Sequence, residues 1–481
     1  MVFSSLLFLY AFFPLCLLAC VLFRDQRRQN RVLLIFSLIF YGWGGPKYLL
    51  LLMFMALVSW LCALKTEGAA EPGLRKLWVA GAAVIDIALI GWFKYAGFLF
   101  SFFGPVPPLI QKIVLPIGIS FYTFQLLTYV VDVYRGEAAA QKSYWNVLLY
   151  AALFHQCIAG PIVRYKTIER ELFLEPRKCQ WCSGTLRFST GLAKKVLLAN
   201  PCGALADSLI LSTDAISAAG QFSANLTALQ NQSVLGCWVG LLAYSLHIYL
   251  DFSAYSDMAI GMGRMLGLHY PENFNYPYIS RSVTEFWRRW HISLGTFFRD
   301  YVYIPLGGNR GKRWKVIRNT FVVWALTGLW HGASLNYVAW GLWFFLLLML
   351  ERGGLKKLLS RVPVLSNIYL LLTVAIGWVI FRFTDLSLMA AFLRSLFGLN
   401  GNALTDFGSE ILLQNNLYLL LFSALISAPV CPLIKTRLEA SRAGQVLLYG
   451  ILPVLLLLLS TACLVGNSYN PFLYFQFGGI L

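Results

Sequence analysis

His331 lies in "LTGLWHGASLNY", residues 326–337, inside a run with no formal charge from Asn319 to Leu350. The chain holds five histidines, and an ionisable side chain in so apolar a stretch is a functional hypothesis by default. A neutral imidazole can take the proton of an attacking hydroxyl; the plainer use is a packing histidine bonded to a neighbour. Other residues compete. His247 and Asp251 in "HIYLD" meet on a helix at i, i+4, a His-x-x-x-Asp spacing that some acyl-transfer enzymes use, against the plainer reading of an intramembrane hydrogen bond. Asp251 and Asp257 in "DFSAYSDMAIG" (251–261) are carboxylates that burial would oblige to find partners. Structural polar glue is the reading favoured for them, with proton or ion binding as the rival. "GGNRGK" (307–312) is one residue short of a phosphate loop and reads as a tight basic turn on the cytoplasmic face, placed to touch an anionic donor. Cys179 and Cys182 in "KCQWCSG" lack the second pair that a four-ligand zinc site needs, so no metal is expected. The sequence contains no Gly-x-Ser-x-Gly, which argues against a serine hydrolase.

The elements that must position these groups follow from composition. The chain is 58% hydrophobic and 12% charged, where soluble domains carry about 25% charged residues. Uncharged runs cover 1–23, 32–46, 48–64, 113–131, 144–163, 319–350, 362–381, 411–434 and 443–481. A helical crossing needs roughly 20 apolar residues, and a β-barrel would alternate apolar with polar instead. The expectation is an all-α polytopic membrane protein whose first run is a retained helix rather than a cleaved leader. The net charge of +18 falls largely in short loops, notably "RDQRRQNR" (24–31), "RGKRWKVIR" (310–318) and "KTRLEASR" (435–442). Such loops stay cytoplasmic, which places the N-terminus and the end of the run 443–481 outside. Topology thus accounts for the charge, and no nucleic-acid partner is implied. No internal repeat is visible, which argues against an inverted-repeat transporter. The mixed segment 164–190 is expected to lie along the cytoplasmic interface.

Residues 270–318 are aromatic and basic, with three prolines and a Gly-Gly pair. Ser282 and Glu285 form a capping-box pattern. In the helix that follows, Trp287, His291, Leu294 and Phe298 fall on one face, with Arg288 and Arg289 as a basic rim. Irregular backbone at membrane depth survives only where protein or water covers it, so 270–310 should line an internal cavity or a cytoplasmic vestibule. As one helix, the run 319–350 would reach about 48 Å against a hydrocarbon core near 30 Å. Basic loops flank both ends. Two arms joined at Gly328–Ser334 solve this, with His331 at the turn.

The chain resembles membrane-bound O-acyltransferases of the bacterial alginate O-acetylation type. The matching pieces are "MVFSS" at the start, "LPIGISFYTFQLLTYVVDVYRG" (115–136), "IAGPIVRY" (158–165), "YLDFSAYSDMAIGMGRMLG" (249–267), "NFNYPYISRSVTEFWRRWHISLGTFFRDYVYIPLGGNR" (273–310), "LTGLWHGASLNYVAWG" (326–341) and "NPFLYFQF" (470–477). The resemblance implies one membrane domain over 1–481 with a catalytic core at about 112–350. It implies a ring of about 10–12 transmembrane helices, with short and re-entrant ones, around a central tunnel. It marks His331 as the invariant histidine and His291 as the second. A thioester donor, acetyl-CoA or an acyl carrier, approaches from the cytoplasm, and the acceptor hydroxyl from outside. The implied product is an O-acetylated exported polysaccharide: an alginate-like exopolysaccharide, cellulose or peptidoglycan. Further implications are a bacterial cytoplasmic (inner) membrane location and a partner that is an extracytoplasmic SGNH-type acetyltransferase or a polysaccharide export complex. No bound cofactor is expected. Trp287 and Trp330 would wall the substrate site, Arg288, Arg289, Arg310, Lys312 and Arg313 would meet donor phosphates, and Asn336 would donate to the oxyanion. Rival readings are D-alanyl transfer to teichoic acid from a carrier protein, a transporter or flippase of an acyl donor, and a non-catalytic scaffold of an export complex. Two positions depart from the family pattern: His247 stands where glutamine is usual, and His155 where proline is usual.

Overall fold

The computed structural model describes residues 1–157, 160–218, 220–467 and 469–471. Most of the closing block 470–477, and the first two residues of "IAGPIVRY", therefore lie outside the described residues. Among the described residues every regular element is helical. Eight helices are long and apolar enough to cross a membrane, with shorter apolar helices at Phe8–Val21 and Leu386–Leu396. The architecture is all-α and polytopic.

Three of these eight fall in none of the uncharged runs above: Pro72–Ser101, Trp181–Ile216 and Val234–Met265. Helix α1 (Pro72–Ser101) starts with proline in its first turn, where the missing N–H costs nothing. It carries Asp86 and Lys94, which interrupt its apolar pattern. Both have partners: Asp86 accepts from Ser59 Oγ at 3.5 Å, and Lys94 donates to Ser120 Oγ at 3.3 Å, in the first turn of α2 (Ile119–Tyr134).

Segment 164–190 does not stay at the interface throughout. From Trp181 it enters α3 (Trp181–Ala193), which opens a candidate span running to Ile216. α3 packs against α4 (Val234–Met265). A methyl group at Gly184 would lie 2.8 Å from Gly261 O, and one at Gly191 2.8 Å from Ala254 O. Backbones this close exclude side chains, and small residues permit such approach between membrane helices. Arg187 and Lys194 then reach Asp257 at 2.6 and 2.5 Å. Of the charges that suggest an interfacial segment, Arg187 is the one carried into α3, and Asp257 on α4 neutralises it.

The segment around His291 is two short helices, not one. Helix α5 (Val283–Arg289) begins at the capping box: Ser282 Oγ accepts from Glu285 N at 3.1 Å, and Glu285 Oε2 from Arg281 N at 3.0 Å. It ends before Trp290, and α6 (Ile292–Phe298) begins after His291. Trp287 and His291 therefore do not share a helical face with Leu294 and Phe298. The break has a visible cause. Asn273 O accepts from Ile292 N at 2.9 Å and Asn273 Oδ1 from Ser293 N at 3.2 Å, taking the N–H groups that a continuous helix would pair with itself.

The run 319–350 is a hairpin, as its length and flanking charges require. Helix α7 (Arg313–His331) and α8 (Leu335–Leu350) are joined by Gly332–Ser334. Gly332 is extended, with φ −174°, so its value is space rather than conformation: a methyl group there would overlap the Tyr337 ring. Gly328 and Gly341 allow the arms to touch, each facing the other arm's backbone. Helix α9 (Pro363–Arg382) packs on α8.

Candidate active site

His331 is the last residue of α7. Its ring is half-buried and stands edge-on to three aromatic rings: Trp330 at 4.9 Å, Trp340 at 4.9 Å and Phe381 at 5.1 Å between centroids. These come from α7, α8 and α9, so the pocket exists only when the hairpin and α9 are assembled. No hydrogen bond to the His331 ring forms among the described residues. Aromatic walls fix the plane of the imidazole and leave its nitrogens for another partner.

His291 lies beside the same tryptophan, 5.6 Å from the Trp330 ring, within electrostatic range of His331. Its backbone is left-handed, φ 43° and ψ 53°, which is uncommon for a non-glycine residue and tends to be retained at functional positions. Nδ1 sits 3.2 Å from Asn273 Oδ1. That oxygen also receives Ser293 N at 3.2 Å and Ser293 Oγ at 2.8 Å. The backbone N–H can only donate, so it fixes this atom as the oxygen. Nδ1 therefore carries the hydrogen, and in the neutral ring Nε2 holds the lone pair. Nε2 is buried with no partner among the described residues.

The other expected site residues divide. Trp330 is buried at the centre of the pair. Trp287 packs on Trp340 at 5.5 Å and Trp324 at 4.7 Å, joining the wall behind His331. Asn336 is fully buried, and its amide donates to Ile380 O at 3.2 Å and Phe381 O at 3.0 Å. Donation to an oxyanion would require those bonds to break; in this geometry Asn336 ties the start of α8 to Phe381. Arg289 is bound to Glu285 at 3.0 Å, while Arg288 is exposed. Arg310, Lys312 and Arg313 are exposed around the turn that precedes α7. Gly307, Gly308 and Gly311 hold that turn with φ of 107°, 55° and 102°. A helix of α7's length separates it from His331 by about 27 Å.

The carboxylates that favour a transporter are accounted for by ion pairs. Asp251 pairs with Lys195 at 2.7 Å, both fully buried, and Asp257 with Arg187 and Lys194. His247 Nδ1 is 2.8 Å from Ala199 O, so its bonded partner is a backbone carbonyl. Asn273 and Lys94 also reach the histidine site, and neither stands out as a motif. The one sequence signal is a lysine deep in a helix whose neighbours are apolar.

A histidine pair at a helical hairpin of a polytopic membrane chain suits acyl transfer to a hydroxyl. A family model described as MBOAT, membrane-bound O-acyltransferase family, matches residues 128–393. The chain belongs to that family and is an O-acyltransferase. It is 40% identical over 408 residues to the protein of Pseudomonas aeruginosa named Probable alginate O-acetylase AlgI, covering 82% of this chain and 75% of that one. It is 36% identical to the Pseudomonas putida protein of the same name, over 99% of this chain and 100% of that one. A Peptidoglycan O-acetyltransferase of Helicobacter pylori is 28% identical over 99% of this chain and 98% of its own.

Proposed function

We propose that this enzyme moves an acetyl group from a cytoplasmic thioester, acetyl-CoA, toward a hydroxyl of an exported polysaccharide, and that His331 is the general base. One observation carries the reading: the His331 ring is held by three aromatic rings, hydrogen-bonded by no described residue, and half-buried beside a second histidine whose Nε2 is also unpartnered. His331 takes the hydroxyl proton as the oxygen attacks the thioester carbonyl. The C–S bond breaks, and the departing thiolate recovers that proton from the imidazolium. A neutral His291 presents a lone pair at Nε2, which suits it to accept from His331 or from the incoming hydroxyl rather than to donate to an oxyanion. The exposed Arg288, Arg310, Lys312 and Arg313 are the candidates for donor phosphates, where charge-assisted contacts are strong. The relatives' printed substrates favour alginate-like or peptidoglycan acceptors. The final acceptor in this reading is reached through an extracytoplasmic SGNH-type acetyltransferase or an export complex, from the cytoplasmic membrane.

The test uses purified protein in lipid nanodiscs with radiolabelled acetyl-CoA, comparing wild type with His331→Ala at matched folding. Coenzyme A release that collapses only in the variant supports the base assignment, and equal release removes His331 from the mechanism. No release from acetyl-CoA, with release from a D-alanyl carrier protein, would replace the donor.

A further inference from the structure

Two consecutive side chains of α1 meet two consecutive carbonyls of α7. Lys94 Nζ donates to Trp330 O, and Tyr95 Oη donates to Leu329 O. These carbonyls belong to the last turn of α7, where C=O groups have no N–H partner within the helix. The extended Gly332 ends the helix at once, so no further turn can supply one. A cation at this end also complements the partial negative charge of the helix C-terminus. Lys94 is tied from a third side by Ser120 Oγ at 3.3 Å, with its ammonium 5.8 Å from the Trp330 ring. It lies within electrostatic range of His331.

A lysine inside a membrane helix is costly and rarely retained without a use. Surface anchoring does not fit it, because its ammonium is bonded to the last turn of a neighbouring helix, α7, and to Ser120 Oγ. Since no described residue hydrogen-bonds the His331 ring, that ring's position depends on the aromatic walls and on the backbone it hangs from. Lys94 and Tyr95 hold that backbone at the two residues just before the histidine.

We infer that Lys94 and Tyr95 are positioning residues for the reaction, a clamp from α1 that pins the last turn of α7 and so sets where the His331 imidazole stands. This inference rests on the reading of His331 as the base. A shift of about 1 Å in a reacting group can cost about 10²-fold in rate, so an unpinned helix end should act on turnover rather than on donor binding. A cavity of about 160 Å³, lined by Lys94 together with Trp92, Phe93, Gly97, Ile110 and Leu115, gives a small amine access to the place the ammonium would leave.

The experiment uses the full chain in nanodiscs with Lys94→Met, Lys94→Ala, Lys94→Arg, Tyr95→Phe and, in parallel, His331→Ala. Hydrogen–deuterium exchange is followed over 326–334 and across the rest of the chain, and coenzyme A release is measured from radiolabelled acetyl-CoA. Lys94→Met should speed exchange at 326–334 alone and lower kcat about 10²-fold with KM for acetyl-CoA unchanged. Lys94→Arg should keep most of the protection and most of the rate. Lys94→Ala should recover rate with ethylamine and not with ethanol. Tyr95→Phe should show the same pattern more weakly. Unchanged exchange at 326–334 in Lys94→Met overturns the clamp, and so does exchange that rises throughout the chain. Wild-type kcat in Lys94→Met beside an inactive His331→Ala removes the clamp and leaves the base. Wild-type turnover in His331→Ala removes the base instead, and exchange at 326–334 still decides whether Lys94 and Tyr95 pin the helix.

Discussion

Two regions of this molecule bury histidines among polar groups, and they are built differently. Around His331 and His291 the neighbours are aromatic rings, His331 is half-buried, and no described residue hydrogen-bonds its ring. Around His247 the neighbours are charged and closed in. Asp251 pairs with a fully buried Lys195, Lys195 also donates to Pro471 O, and Gly203 packs so closely that a methyl group there would overlap the imidazole. The first region holds its groups by shape and leaves both nitrogens of His331 and Nε2 of His291 without a bond from any described residue. The second pairs its charges with one another and packs closely around the imidazole, whose Nδ1 is bonded to Ala199 O. A spare ring nitrogen does not set the two regions apart, since His247 Nε2, like His291 Nε2, has no partner among the described residues; what differs is the surroundings, aromatic at His331 and charged at His247.

Exchanging the two histidines tests this comparison most strongly. His331→Ala should lower acetyl-CoA turnover by about 10²–10⁴-fold, the range of general-base contributions. His247→Gln, which keeps a polar group against Ala199 O, should leave turnover within a few-fold. A dead His247→Gln that remains folded would erase the distinction. The next effect is on stability. Asp251→Asn leaves the Lys195 ammonium buried without its counter-charge and should cost about 3–5 kcal/mol, read as a large fall in the thermal midpoint in detergent. The surviving folded fraction should turn over normally. A third experiment sharpens the account of His291. Asn273→Leu removes the acceptor that fixes its tautomer, at a loss of about 1–3 kcal/mol for the groups left unpaired. Turnover should drop about tenfold, a loss of some 1.4 kcal/mol in transition-state stabilisation.

The smallest effect belongs to a third kind of region, the exposed basic edge. Burial pushes the Asp300 carboxyl up, but Arg299 and Arg164 outweigh it and hold the group below the usual carboxylate range. A carboxyl depressed in the folded state contributes its stability above its unfolded value, near 3.9, and loses it as pH falls through the lower folded value. The pair should therefore be fully effective at neutral pH and fail only below about pH 4. With side chains 24% and 17% exposed, it should be worth under about 1 kcal/mol. Thermal midpoints of wild type and Arg164→Leu from pH 7 to pH 3 should converge at the acid end, and midpoints that diverge there would reverse the sign.

Much of the architecture is legible in the chain itself. The uncharged runs mark most of the membrane helices because hydrocarbon tolerates few charges and crossing sets a length. That same length rule divides 319–350 into a hairpin with His331 at its joint, and Ser282 with Glu285 announces the start of α5. The rule fails where charges are paired out of sight. Asp86 and Lys94 hide α1, and Arg187 helps disguise α3 as an interfacial segment, since their partners lie far away in sequence on Ser59, Trp330 and Asp257. The break at His291 is equally invisible, because the bonds that interrupt the helix come from Asn273. Local pattern therefore determined which segments are apolar, where they begin and which histidine stands at a turn. Tertiary structure alone decided which polar groups are consumed and which are left over: Asn336 bonded to the end of α9, Asp251 to Lys195, and the ring of His331 to no described residue. Polar satisfaction depends on what another helix brings within about 3 Å, and a single chain's order of residues does not state that distance.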